Sequence, residues 1–264
     1  MRAEEVQLHL RSLNGGWVDR QKSVDTFISG DPGTEVRGIA IGWMSYTWAL
    51  QKAVDLDCNL FITHEPTFYH PRDQVGTLLN LTGIAGKRKY IQDRELVILR
   101  CHDLWDQMPQ IGIADSWGEL LGLGPAIAGE GYFRVYDVSG RTALEVARQV
   151  AERCRQFGQE AVQLVGPGDR RVTRVVTGTG AITPIFQSIT EYPVDLVICS
   201  DDGITYWKDA AYAIDMGLPL IVVNHAVSEE AGLMNLATYL QGVFPDIPVH
   251  YLPQRCMYRL INGS

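Results

Sequence analysis

No apolar run in this sequence approaches the ~20 residues that a membrane-spanning helix needs. The longest, such as Leu220–Val223, have the size of core strands. The opening MRAEEVQLHLRSL carries acids and no continuous apolar stretch, so it does not read as a secretory leader. Cysteine is scarce: Cys58, Cys101, Cys154, Cys199 and Cys256 are odd in number, widely spaced and without a CxxC pair. That argues against a disulfide framework or a thiolate zinc site and fits a reducing compartment, so the expected location is cytoplasmic. Basic charge is also short. The 23 Lys and Arg face 31 Asp and Glu, a formal net charge of −8 at pH 7. Nucleic-acid binding needs a basic footprint, so no nucleic acid and no membrane are expected as partners.

What remains is ordinary globular material. The 264 residues are 46 % hydrophobic and 20 % charged, enough for one large domain or two smaller ones. Apolar segments alternate with amphipathic ones from end to end. Strands are expected at 36–42, 59–63, 95–101, 131–138, 161–165, 171–177, 194–199, 219–224 and 248–252. Helices are expected at 46–57, 77–94, 115–123, from Thr142, and at 182–191, 204–216 and 228–242. Thr142 and Glu145 form a capping-box pattern ahead of Leu144, Ala147, Ala151 and Cys154 at helical spacing. Alternation of this kind places the chain in the α/β class. The Gly- and Ala-rich GLGPAIAGEG at 122–131 marks the expected boundary between an N-terminal lobe, 1–125, and a C-terminal lobe, 126–264.

In open α/β sheets, ligands bind beyond the carboxyl ends of strands. Three of the six histidines stand there: His64 after NLFIT, His102 after LVILRC and His225 after PLIVVN. Each has acids close behind it: Glu65, then Asp103 and Asp106, then Glu229. Imidazole with carboxylate suits Zn²⁺, Mn²⁺ or Fe²⁺, and three converging loops can supply two ions. The plain alternative for any one strand-end histidine is a hydrogen-bonded core or rim residue. His9 and His250 read as packing or structural residues, and His70 as a solvated loop histidine. Gly178-Thr179-Gly180-Ala181 reads as a tight strand-to-helix turn rather than a phosphate cradle, because a dinucleotide fingerprint needs a third glycine. Ser200-Asp201-Asp202-Gly203 reads as an N-cap for the next helix or as acids facing a site. Lys87-Arg88-Lys89 reads as a solvated helix face. No Ser or Cys carries a local nucleophile motif.

Taken in order, ITHEPTFY, CHDLWD and NHAVSEEAGL resemble the dinuclear-metal family called NGG-interacting-factor-three-like, often named GTP cyclohydrolase 1 type 2. The family pattern is His-His after an early strand, His-x-x-x-Asp after a middle one and His-x-x-x-Glu near the end. This chain has His64-Glu65, His102 to Asp106 and His225 to Glu229 at those places. The resemblance implies two related, intertwined α/β lobes with mixed sheets, and a homo-oligomer, a trimer or hexamer. It also implies two divalent metal ions (Zn, Mn or Fe) on His64, Glu65, Asp106, His225 and Glu229. Asp106 and Glu229 would then bridge the ions. His102 is either a catalytic proton carrier or a support that orients Asp106. The function so implied is a metal-dependent hydrolase acting on an unidentified small-molecule substrate. The alternative is a non-catalytic metal-binding scaffold or metal-handling protein. Three departures from the family pattern stand out: Glu65 in place of the second histidine, Tyr206-Trp207 where the second lobe usually has a histidine, and Gly42-Trp43-Met44 in place of Leu-Asp.

Overall fold

The computed structural model describes residues 1–74, 76–181, 185–261 and 263. In chain order its elements are α1 (Ala3–Ser12), β1 (Phe27–Ser29), β2 (Ile39–Gly42), α2 (Thr47–Asp55), β3 (Leu60–Thr63), α3 (Thr82–Asp93), β4 (Val97–Arg100), α4 (Asp103–Gln107), α5 (Ile113–Leu121), β5 (Arg134–Thr142), α6 (Ala143–Cys154), β6 (Gln163–Val165), β7 (Arg171–Thr177), α7 (Ile185–Glu191), β8 (Leu196–Ser200), α8 (Ala211–Met216), β9 (Leu220–Val223), α9 (His225–Val243) and β10 (Val249–Tyr251). Among the described residues no helix is long and apolar enough to cross a membrane. All five cysteines are unpaired, and four of them are buried.

The class is α/β with two mixed sheets, as expected. The chain forms two compact units, residues 1–108 with 233–253, and residues 109–232 with 254–264. The division thus falls at Met108/Pro109 rather than at 125/126. The glycine-rich stretch is an internal turn of the second unit: Ile127 N–H donates to Val135 O at 2.8 Å, and Ala128 bridges Val135 in antiparallel fashion. Trp117, Leu121 and Leu123, on its N-terminal side, belong to the second unit's core.

In the first unit the strand order is β1-β4-β3-β2-β10, antiparallel only between β1 and β4. Ala40, Phe61 and Ile98 of the sheet pack with Leu50 and Ala53 of α2 and with Ile84 and Ile91 of α3. Removing each large aliphatic side chain of this kind from water contributes about 1.5–3 kcal/mol. The register pairs Gly42 with Thr63 and Thr63 with Arg100, so β2, β3 and β4 end level with one another.

In the second unit the order is β5-β7-β8-β9-β6, with parallel β7, β8 and β9 between antiparallel edge strands. Successive residues face opposite sides: Ile198, Ile221 and Val223 pack with α6, while Val197, Cys199, Leu220 and Val222 pack with Ile185 and Ala213. Burial on both faces explains the continuous apolar runs of β8 and β9. The capping box ahead of α6 is present. Glu145 N–H donates to Thr142 Oγ1 at 3.3 Å, and Thr142 N–H donates to Glu145 Oε2 at 2.7 Å.

Most element boundaries lie within a few residues of expectation. The exceptions have local causes. The expected helix at 77–94 is broken into a 3₁₀ turn, Gly76–Asn80, and α3. The expected helix at 182–191 is described from Ile185, with 182–184 outside the described residues. Its successor at 204–216 opens with a π turn, Tyr206–Ala210. The last helix begins at His225 rather than Ser228, so His225 and Glu229 share its first turns.

Gly232 of α9 lies against the start of α5. A Cβ there would come within 2.8 Å of Ile113 Cα and 2.6 Å of its Cδ1, and backbone cannot yield as a side chain can. Gly232→Ala is therefore expected to destabilise the protein by about 1–3 kcal/mol. That sign opposes the roughly 1 kcal/mol that alanine gains over glycine inside a helix. Urea unfolding of the variant checks it.

Candidate metal centre

The level ends of β3 and β4 place His64 and His102 side by side. Cys101 N–H donates to Thr63 O at 3.0 Å, and the two imidazole rings stack with centroids 4.6 Å apart. His64 is buried. Its Nδ1 donates to Cys101 O at 3.1 Å, which fixes the tautomer and leaves Nε2 facing Asp106 Oδ1 at 3.2 Å. A metal-ligating histidine usually donates its other ring N–H to a carbonyl or carboxylate, as His64 Nδ1 does here, which leaves Nε2 available as the ligand. Ligand atoms of His64, His102 and Asp106 all lie within 4.8 Å of one another, a group that can hold an ion. The donors, two imidazoles and a carboxylate, suit a divalent transition metal.

Three acids surround His102. Its Nδ1 lies 2.9 Å from Asp103 Oδ1 and 3.1 Å from Asp106 Oδ2, and its Nε2 lies 3.5 Å from Glu65 Oε1. Burial opposes a charge on this ring, but Asp106, Asp103 and Glu65 together outweigh it and hold the imidazole well above its ordinary pKa. Burial likewise pushes Asp103 up, yet the hydrogen bond and charge of His102 bring it down to about 2. Glu65 faces a second cation, with Arg100 Nη2 at 3.6 Å from Oε2. Arg100 is itself buried and ties the strand-end loop together. Its Nε donates to His64 O at 3.1 Å and its Nη1 to Pro71 O at 2.5 Å.

The acids sit where they do because α4 starts immediately after His102. Asp25, from the loop before β1, accepts the backbone N–H groups of His102, Asp103 and Leu104 at 2.5, 3.1 and 2.8 Å. A long-range carboxylate thus does the work of an N-cap, satisfying donors that a helix start leaves open. One helical turn then carries Asp106 back beside His102.

The second unit builds its own histidine–acid pair at the β9–α9 corner. His225 Nδ1 lies 2.7 Å from Asp202 Oδ2, and Nε2 lies 2.9 Å from Glu229 Oε1. Asp201 accepts from His225 N–H at 3.1 Å and from Asn224 Nδ2 at 2.9 Å. So Asp201 serves the start of α9, not the element that follows it in sequence. There Asp209 takes the capping role, accepting from Thr205 N–H at 2.7 Å. The neighbouring acid Glu230 turns away from His225. It accepts from Gln254 and Arg255 N–H at 2.8 and 2.5 Å, and burial pushes it up to about 7.

The turn at Gly180 lies close to this pair. Gly180 has φ +66°, and a Cβ there would come within 2.9 Å of His225 Nε2. Its N–H donates to Ser200 Oγ at 2.9 Å. The glycine is there for close packing, in keeping with the tight-turn reading.

Other expected residues fall into place. His9 packs on Tyr239, with Nε2 2.9 Å from its hydroxyl, and His250 lies in β10. His70 stays in its loop, where its Nδ1 accepts from Arg72 N–H at 3.3 Å. Lys87 is a correction: it is buried rather than solvated. Its Nζ donates to Thr67 O at 2.6 Å, and burial pushes the amine down to about 8. Asp25, Arg100 and the partner role of Asp202 carry no local sequence signal, since each acts through a contact distant in the chain. Asp103, as a second acid one residue after His102, was visible in CHDLWD.

Because the folded pKa of Asp103 lies below its unfolded value near 4, the stability it contributes is present above about pH 4. It is lost as the pH falls toward about 2. Asp103→Asn is expected to flatten the acid limb of the stability profile of the metal-free chain in that window. Urea unfolding between pH 2 and 5 reads the difference, and an unchanged acid limb contradicts it.

The model of the Duf34/NIF3 (NGG1p interacting factor 3) family matches residues 20–255. A Chlamydia pneumoniae protein named GTP cyclohydrolase 1 type 2 homolog is 22 % identical over 255 residues, covering 93 % of this chain and 95 % of its own. Among solved structures, a Bacillus cereus protein related to NIF3 superposes with a TM-score of 0.81 at 13 % identity, covering 100 % of this chain and 99 % of that one. A Staphylococcus aureus hypothetical protein gives 0.79 at 16 % identity, with 99 % of both chains covered. At such identities the structures speak for the fold. The family match spans nearly the whole sequence, and the chain belongs to the Duf34/NIF3 family.

Proposed function

We propose that this chain is a metal-dependent hydrolase using two divalent ions (Zn, Mn or Fe). The expected ligands are His64, Glu65, Asp106, His225 and Glu229. The observation that carries the metal reading is the group of buried His64 and Asp106 with half-buried His102, whose donor atoms gather within 4.8 Å. The two-ion form rests on the family resemblance of these residues, and the Chlamydia relative bears the name GTP cyclohydrolase 1 type 2 homolog. Divalent ions at such a centre acidify water and polarise a substrate oxygen.

The chain's own residues would do the rest. Cys101 O and Asp202 keep the imidazoles of His64 and His225 oriented. His102, bonded to Asp103 through Nδ1, can hold a proton at Nε2 beside Glu65 and pass it to a leaving group. Glu65 in place of the family's usual histidine adds one negative charge beside the ions, and Arg100 Nη2, 3.6 Å from Glu65 Oε2, faces that charge. The other change is chemical. A hard carboxylate oxygen stands where a borderline imidazole nitrogen is usual, which favours Mn²⁺ over Zn²⁺.

A scaffold or metal-handling role is the second reading. It is favoured by the burial of His64, Asp106 and Glu229, at 1, 3 and 2 % exposure, since closed sites are typical of structural metals. A screen of phosphoesters, nucleotides and cyclic amides with metal-loaded protein separates the two, because a scaffold turns over none of them.

Asp106→Ala and Glu229→Ala are each expected to lose most of the bound metal. Elemental analysis of protein purified without chelator or affinity-tag histidines checks this, and full occupancy in both variants removes the assignment. Glu65→His is expected to shift relative affinity from Mn²⁺ toward Zn²⁺ in competition binding. Unchanged relative affinities mean that Glu65 is not a ligand. A homo-oligomer, trimer or hexamer, is proposed from the family likeness, and light scattering at micromolar protein tests it.

A further inference from the structure

The first unit contains a cavity of about 190 Å³ beside β4, and the proposed chemistry makes no use of it. Ile98 packs with α2 and α3, and neighbouring side chains of a strand face opposite sides, so Leu99 and Cys101 face the other way. Around the cavity they meet Leu10 of α1, Val18 of the loop that follows it, and Leu104 of α4. These side chains make an apolar floor. Cys101 belongs to it, because burial and the nearby acids push its thiol well up and keep it neutral. A neutral buried thiol behaves as a small apolar group.

The polar wall comes from α1 and residues 14–25. Gln7 and Arg11 stand one helical turn apart on α1 and both line the cavity. Arg11 Nη2 donates to Asp25 O at 3.2 Å, and Arg20 Nη2 donates to Arg11 O at 3.0 Å, which brings the two guanidiniums together at the cavity they line. Each thereby uses one of its five N–H groups. Neither pairs with a carboxylate among the described residues. Gln7 Nε2 is buried and has no hydrogen-bond partner, a state that an acceptor in the cavity would relieve. The loop is shaped by its own contacts. Asn14 Nδ2 donates to Val18 O at 2.8 Å, and Asn14 Oδ1 accepts from Gly16 and Val18 N–H at 3.0 and 3.1 Å.

Charge and size define what fits. Arg11 and Arg20 bring two positive charges, and Asp25, whose carboxylate is committed to the start of α4, brings one negative. Arg100 also borders the cavity, but its guanidinium turns to Glu65 and to the carbonyls of His64 and Pro71. The balance is one positive charge, which matches a monoanion. For size, a cavity of about 150 Å³ with aliphatic walls holds benzene. We propose that this cavity binds a small monocarboxylate with a compact apolar body, an aryl or branched alkyl acid. Its carboxylate meets Arg11 and Arg20, with Gln7 Nε2 as a further donor, and its body lies on the apolar floor. None of the proposed metal ligands lines the cavity, so the site stands apart from the metal-centre reading.

Benzoate is the probe, with benzamide, acetate and phenyl phosphate as comparisons. The full chain is used as purified and after chelator treatment. Titration calorimetry is expected to show benzoate binding that survives chelator treatment and weakens as salt is added. Benzamide lacks the charge and acetate the apolar body, so each should bind at least about tenfold more weakly. Phenyl phosphate, mostly a dianion at neutral pH, should bind no tighter than benzoate. Arg11→Gln and Arg20→Gln should each weaken benzoate about three- to tenfold. Gln7→Leu should weaken it as well, and Val18→Phe, which fills the cavity, should abolish binding. Urea midpoints show which variants fold. Arg20→Gln and Val18→Phe leave the Arg11–Asp25 bond in place, so they decide the matter even where Arg11→Gln does not fold.

Absence of benzoate binding at millimolar concentration overturns the proposal. So does equal affinity for benzamide or acetate, tighter binding of phenyl phosphate, or unchanged benzoate affinity in folded Arg20→Gln and Val18→Phe. Benzoate binding that disappears on chelation of protein that remains folded also overturns it, since the carboxylate then sits on the ions. The two readings fail separately. Chelator-treated protein that binds benzoate keeps the cavity site whatever the metal assay returns, and metal-holding protein that binds no benzoate loses only the cavity site.

Discussion

Buried carboxylates need a cation, and the first unit is arranged around that requirement. Glu65, Asp103 and Asp106 converge on the His102 ring, and Arg100 closes the set from the side of Glu65. Three acids at such separations repel one another, and desolvation opposes each charge. The ring answers by binding its proton more tightly, and Asp103 by losing its proton more readily. The same geometry explains why a divalent ion fits. It would supply, at the centre of the cluster, the positive charge that the imidazolium and guanidinium otherwise provide.

Each unit reaches a similar local solution by itself. A parallel strand ends, a histidine follows at or beside a helix start, and an acid one turn later returns to it: His102 with Asp106, and His225 with Glu229. A further acid takes the Nδ1 side, from the adjacent residue in one case and from the preceding strand end in the other. The i,i+4 spacing is what makes the motif compact, because side chains that far apart lie on one helix face. The helix starts are held by carboxylates distant in sequence, Asp25 for α4 and Asp201 for the β9–α9 corner. Supporting residues of this kind orient the groups that would meet a metal ion.

Much of this was legible in the chain. Burial on both faces wrote β8 and β9 as apolar runs, the Thr142–Glu145 box announced α6, and the strand-end rule singled out His64, His102 and His225 from six histidines. The failures share a cause. The glycine-rich stretch at 122–131 looked like a linker, but its backbone hydrogen bonds close it onto β5. Lys87 looked solvated because its neighbours Arg88 and Lys89 are, yet one residue of the run faces inward at the 3.6-residue period. The helix from His225 was placed three residues late, at Ser228, although Asn224 stands where an N-cap residue would.

The sequence by itself determined the α/β class, most of the element order, and two of the histidine–acid pairs, His102 with Asp106 and His225 with Glu229. Each of these follows from spacing within a dozen residues, where chain connectivity already limits geometry. Tertiary structure alone decided which acids meet which imidazole nitrogen, that Asp25 and Arg100 serve the cluster, and that the chain's return through residues 233–253 completes the first sheet with β10. Those contacts join residues tens to hundreds of positions apart. They are selected by strand register and by the need to pair buried charge, neither of which leaves a local mark in the sequence.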